Sequence, residues 1–264
     1  MAPRVRKLST ALFAGGMVAG SPLIAACGGP SYDSWAATDG AAGRINLDDV
    51  QQAFKESKSA TDFESRVNEI YEGDGIILIR AQQDGNQLTL EGWEDLNGSN
   101  EIEDARDDRL FSIVKNNDQH EMRGYHANSY YHSSFGGGSF LFGYMLATAF
   151  MPGPYFYSTP INRGPAIRQS RSTYRQSTRY GSQVARNSRY TTRQQGFAGS
   201  RYQDSSRNLS SNRQSYQQTQ RSSGAFRSSS SISRSSSGSA FGTRARSGSF
   251  SGGGGHMNLR KRQG

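Results

Sequence analysis

Three sets of residues in this chain have the types and spacing for chemistry. The first is Cys27, the only cysteine, which closes the run Leu23-Ile24-Ala25-Ala26-Cys27-Gly28. Small residues placed just after an apolar stretch are what a signal peptidase accepts. The second is the acidic stretch from Asp95 to Asp108. It offers side-chain oxygens at Asp95, Asn97 and Ser99, a backbone carbonyl at Glu101 and a carboxylate at Asp107. Hard cations such as calcium are held by oxygen sets of this kind. The third is the equally spaced trio His120, His126 and His132. On one strand they would share a face. However, six residues at about 3.3 Å each separate neighbours by about 20 Å, beyond the reach of one metal. Solvated histidines in a Tyr/His-rich segment are the expectation, although Gly124 and Asn128 could break the strand. The chain has no nucleophile elbow, no phosphate-binding loop and no dinucleotide fingerprint. No catalytic residue is assigned, and a non-enzymatic protein is expected.

The segment before Cys27 supplies a compartment. Arg4, Arg6 and Lys7 form a positive end, and Leu8 to Ala26 is an uncharged run of apolar and small residues. That order, ending in Cys27, resembles the lipobox of bacterial lipoproteins, in which the cysteine is acylated and becomes the first mature residue. The resemblance implies a signal peptide over 1–26, lipidation (palmitate included) at Cys27, and membrane attachment through that lipid. Gly28 after the cysteine, where inner-membrane retention would place Asp, implies the outer membrane. An ordinary cleaved signal and an uncleaved anchor are the alternatives. A spanning helix needs roughly 20 apolar residues, and Gly15, Gly16, Gly20, Ser21 and Pro22 argue against a stable span. With Cys27 lipidated, no disulfide can form.

The acidic stretch resembles the calcium loop of EF-hands and dockerin-type repeats. Asp95, Asn97 and Ser99 match its first, third and fifth positions, Glu101 its seventh, and Ile102 its apolar eighth. Two departures weaken the match. Asn100 stands where glycine belongs, and Arg106 stands where the bidentate carboxylate belongs, with Asp107 one residue too late. An acidic turn between two strands is the competing reading.

Charge divides the chain. Residues 28–135 carry 9 basic and 21 acidic groups, whereas residues 136–264 carry 19 basic groups and a single acid, Asp204. The two parts could attract each other. Residues 162–250 are mostly Ser, Arg, Gln, Gly, Thr and Tyr, with few branched aliphatics. Such composition rarely buries enough apolar surface to offset ordering entropy, so a long disordered C-terminal tail is expected over 162–264. Arginines with interleaved aromatics suit phosphates and stacked bases. An export signal removes most nucleic acid from reach and leaves anionic envelope polymers or lipid headgroups as partners.

The elements between these poles read as an α+β domain over 44–126. Asn46 can cap a helix carrying Leu47, Val50 and Phe54. Ser59 starts a second, with Phe63, Val67 and Ile70 on one face. A hairpin follows: Ile76–Ile79, a turn at Asp84-Gly85, then Leu88 and Leu90 alternating toward a partly buried Trp93. Leu110, Ile113 and Val114 suggest a third strand, and Met122 and Tyr125 a fourth. Two helices followed by an antiparallel meander is thus the predicted fold. A tether over 27–43 and a Gly/aromatic apolar connector over 127–161 flank it. The connector's run Phe140–Met151 is too short to span a bilayer. Ser139–Met151, Gly224–Ser229 and Ser247–Gly252 give the layout a likeness to YgiB-type envelope proteins, which implies no catalytic residues. The expectation is an exported envelope lipoprotein of structural or interaction type. A calcium-binding module or an enzyme built on 44–126 is the alternative.

Overall fold

The computed structural model describes residues 31–117, 119–137, 139–148 and 155–229, all within one compact unit. The fold is α+β. Helices α1 (Tyr32–Ala36), α2 (Leu47–Glu56) and α3 (Ala60–Ile70) lead into strands β1 (Ile77–Asp84), β2 (Gln87–Glu94), β3 (Asp108–Asn116), β4 (Gln119–Gly124) and β5 (His132–Gly136). Helix α4 (Ser139–Ala147) then connects to β6 (Tyr155–Ser158). The strands form one antiparallel sheet in the order β5-β4-β3-β2-β1-β6.

Local chemistry explains the first half. Asn46 accepts the Asp49 N–H at 3.1 Å, and Ser59 accepts the Asp62 N–H at 3.1 Å. Each cap satisfies an orphan donor of its helix. Leu47, Val50, Phe54, Phe63 and Val67 are fully buried against the sheet residues Ile77, Ile79, Leu90 and Ile113. The β1–β2 turn places Gly85 at φ +55°, in the left-handed region a two-residue hairpin requires. Trp93 is buried, as its position on the hairpin strand implied.

The meander is longer than the sequence suggested. The expected connector over 127–161 is, where it is described, part of the fold: β5 and β6 add a strand at each edge of the sheet, and α4 packs on α2 and α3 between them. The expected tether over 27–43 is also corrected where it is described. Residues 31–43 form α1 and tight turns, with Trp35, Ala41 and Ala42 buried. Trp35 lies against Phe226, which explains why this short Gly/Ala-rich stretch is ordered.

The largest correction concerns the expected disorder of 162–264. Residues 164–229 form α5 (Gly164–Arg175), α6 (Thr178–Ala198), α7 (Ser200–Ser205), α8 (Ser211–Ser223) and α9 (Phe226–Ser229). Aliphatic burial is sparse, but Ile167, Tyr174, Tyr190, Ala198, Tyr202 and Phe226 are buried. Buried amides and arginines do the remaining docking. Gln183, Asn187, Tyr190, Gln194 and Ala198 recur at helical spacing on the inner face of α6. Asn187 donates to the Ile70 carbonyl and to Glu72, both at 2.8 Å. Residues 230–264, like Cys27 and the rest of 1–30, lie outside the described residues.

Candidate functional site

The acidic loop joins the end of β2 to the start of β3, and its oxygens turn inward onto backbone amides. Asp95 accepts Ser99 N–H at 3.0 Å and Asn100 N–H at 3.1 Å. Asn97 also accepts the Ser99 N–H, at 2.9 Å. Ser99 Oγ donates to the Glu101 carbonyl at 3.2 Å. Asp107 accepts Leu96 N–H at 3.1 Å and Glu103 N–H at 2.8 Å. Burial pushes the Asp107 carboxyl up to about 6, against the pull of those amides, and Asp95 nearby adds to the rise. Asn100 adopts φ +66°, so it does occupy the left-handed position that glycine would hold.

Arg168 of α5 then lies over the loop. Its guanidinium donates to Asp95 at 2.9 Å and also bonds Asn100. Arg106 stays exposed beside Glu103. Asp95, Asn97, Ser99, Glu101 and Asp107 are therefore brought into one loop, but the Asp95 carboxylate faces an arginine. Among the described residues no group of three or more His, Cys, Asp and Glu could hold a metal ion.

The histidines are separated. His120 is fully buried, stacked on Phe142 and Phe135 and edge-on to Phe54. Burial lowers its pKa, and Lys115 and Lys55 lower it further. His126 sits 3.7 Å from Asp108, and the exposed His132 meets Glu121 at 2.6 Å.

A second cluster could not be read from the sequence. At the ends of β2 and β3, Glu94 and Asp108 are buried and face Arg213 of α8, itself fully buried. Arg213 donates to Asp108 at 2.9 Å and also bonds Glu94. Tyr71 donates its hydroxyl to the same Glu94 carboxylate, and the Gly75 N–H reaches it at 2.9 Å. Desolvation raises the Glu94 pKa, with Arg213 opposing the rise. Arg213 itself is held charged well above its ordinary range; burial, the largest single influence, works against this, and Glu94, Tyr71 and Asp108 together outweigh it. A Cβ at Gly43 would lie 2.5 Å from the Arg213 guanidinium, and Gly43 has φ +74°, so glycine is required there.

Nearby, Arg171 and Arg175 serve backbone carbonyls. Arg175 donates to Tyr71 and Gly73 at 3.2 and 2.7 Å, and Arg171 donates to Gly73 and Gly75 and, at 3.2 Å, to Asp74. Burial, with Arg175 alongside, depresses Arg171 to about 10.

Other basic groups of the C-terminal segment bind acids of the domain. Arg163 pairs with Glu64 at 2.9 Å, Arg186 with Asp49 at 3.1 Å, and Arg193 with Asp48. By contrast, Arg189, Arg201 and Arg207 are exposed and make no ion pair among the described residues. The remaining polar layer, on the sheet face away from α2 and α3, holds Arg80 between Trp93 and Tyr155, at 4.8 and 4.9 Å from the ring centres. Its guanidinium bonds Glu91 and Asp104. Arg80 is thus satisfied by its neighbours.

No described helix is long and apolar enough to cross a membrane. No family model, curated protein or solved structure matches the chain.

Proposed function

We propose that this protein is a bacterial envelope lipoprotein of structural or interaction type. Acylated Cys27 holds it to the membrane, and its excess basic groups contact anionic envelope polymers or lipid headgroups. The observation that carries the reading is the order of residues 4–27: three cations, an uncharged apolar run, small residues, then the single cysteine.

The arrangement of charge supports the second half. The described residues hold 22 basic and 21 acidic groups, so the folded body is near neutral. Residues 230–264 carry six basic groups and no acid. Contacts with a polyanion therefore belong to 230–264, helped by the exposed Arg189, Arg201 and Arg207. The inward arginines of α5, α6 and α8 are occupied by the body. The polar clusters described above have the character of docking contacts.

The test is metabolic labelling with a fatty-acid probe, together with mass spectrometry of the mature N-terminus. Wild type should incorporate the probe and begin at a diacylated Cys27. Cys27→Ala should incorporate none. Equal labelling of the variant would refute the anchor.

A further inference from the structure

Helix α4 is apolar on every side: its sequence from Phe140 to Ala147 contains no charged residue. A helix of that character belongs in a core or in contact with lipid. Only half of α4 is in the core. Leu141, Phe142 and Met145 are fully buried against the α2 and α3 side, whereas Phe140 is 64 % exposed and Tyr144 and Leu146 are each 38 % exposed. Of the five large apolar side chains left exposed among the described residues, these are three. A fourth, Ile161 at 54 %, follows β6, the strand α4 packs on. Single exposed apolar groups need no explanation, but a concentration of them does.

Lys55 is exposed on α2, a helix α4 packs on, and lies 5.0 Å from the centre of the Phe135 ring; Arg163, two residues beyond Ile161, is taken up by Glu64. The acids in the same region are taken up: Glu56 and Asp62 by Arg66, and Glu64 by Arg163. Apolar side chains with a phenol among them, beside an exposed lysine of the neighbouring helix, are the make-up of a segment lying in the headgroup region. Nine residues cannot span a bilayer, so the contact is interfacial.

We infer that the outer face of α4 is a second membrane contact, seating Phe140, Tyr144 and Leu146 in an anionic bilayer surface. The inference rests on the anchored reading above, which puts a bilayer within reach. The two acyl chains of a diacylated Cys27 already suffice for stable attachment, so the apolar patch serves to set how the body lies on the surface.

The experiment places a single environment-sensitive fluorophore on the purified mature protein, whose Cys27 is blocked if acylated. Phe140→Cys carries the label, with Ser215→Cys on α8 as control. The protein is reconstituted in phosphatidylethanolamine–phosphatidylglycerol vesicles containing spin-labelled lipid. The label at 140 should shift to the blue and be quenched several-fold, while the label at 215 stays aqueous. Adding Tyr144→Ser and Leu146→Ser should remove most of the quenching at 140 while the protein stays folded with at most a modest fall in unfolding temperature, because neither side chain is in the core.

An aqueous signal at 140 on vesicles would overturn the inference. So would a blue shift without lipid that grows with protein concentration, since a second copy would then cover the face. Failure of the anchor itself shows separately, as labelling of Cys27. In that case the Cys27→Ser form with Phe140→Cys, added to the same vesicles, decides the role of α4 by the same readout.

Discussion

At the scale of single residues, the fold turns on ions taken out of water. Arg213, Glu94 and Asp108 are all buried, and their mutual attraction offsets desolvation only while the set is complete. Arg213→Met should leave two carboxylates uncompensated and lower stability by about 3–5 kcal/mol in urea unfolding. Adding Glu94→Gln and Asp108→Asn should restore part of the loss. A loss below about 1 kcal/mol would show that α8 does not depend on this cluster. Asp95 makes the opposite kind of statement. With Arg168 at 2.9 Å and two backbone amides on its oxygens, it has little to offer a cation. Millimolar calcium should therefore leave the unfolding midpoint unchanged. A gain near 2.7 kcal/mol, the value for a hundredfold excess over Kd, would show that the loop opens to bind it.

At the scale of elements, α4 is clamped by a titratable group. Phe142 of α4 stacks on His120 at 5.8 Å between ring centres, and Phe135 stacks at 5.4 Å. The charged groups facing that imidazole are Lys55 of α2 and Lys115 of β3, both of which oppose its protonation. A histidine whose folded pKa is lowered contributes stability above its unfolded pKa of about 6.5, and that contribution is lost as pH falls toward the folded value. Wild type should thus lose stability as pH falls below about 6.5 relative to His120→Phe; parallel thermal-unfolding curves for the two would exclude His120 as the cause. The sequence made α2, α3 and the first hairpin legible because their aliphatics keep strict helical or alternating periods and Asn46, Ser59 and Gly85 mark the ends. Helices α5–α8 were not legible by the same test. Their inner faces are written in Arg171, Gln183, Asn187, Gln194, Arg213 and Gln217, polar residues whose partners lie far away in sequence. Asn187 alone bridges 117 residues to Ile70. The period was present in α6, but in amides rather than aliphatics. The candidate loop divides the same way: the turn formed by Asp95, Asn97 and Ser99 is local and readable, whereas Arg168, which occupies it, comes from 73 residues downstream.

At the scale of the whole molecule, folding the arginine-rich segment onto the acidic domain redistributes charge. The opposite charges of the two regions largely cancel within the described body, so its pairs at Glu64, Asp95, Asp49, Asp48, Glu94 and Asp108 are internal contacts. What remains uncompensated by any acid in its own stretch is the set Arg234, Arg244, Arg246, Arg260, Lys261 and Arg262. Binding to a polyanion should therefore follow residues 230–264. A chain ending at Ser229 should keep the unfolding midpoint of the full chain, because the docking contacts of α5 to α9 are intact, yet lose most of its affinity for a polyanion such as dextran sulfate. For the full chain, affinity should fall steeply between 50 and 200 mM salt. If all six cations release counterions as they would on duplex DNA, the fall is about 10³-fold, and a less densely charged polymer gives less. Arg189, Arg201 and Arg207 changed together to Gln should weaken binding further without unfolding the protein, since none of the three forms an ion pair with the body. Full polyanion affinity retained by the chain ending at Ser229, with little salt dependence, would place recognition in the folded body and refute an electrostatic role for 230–264.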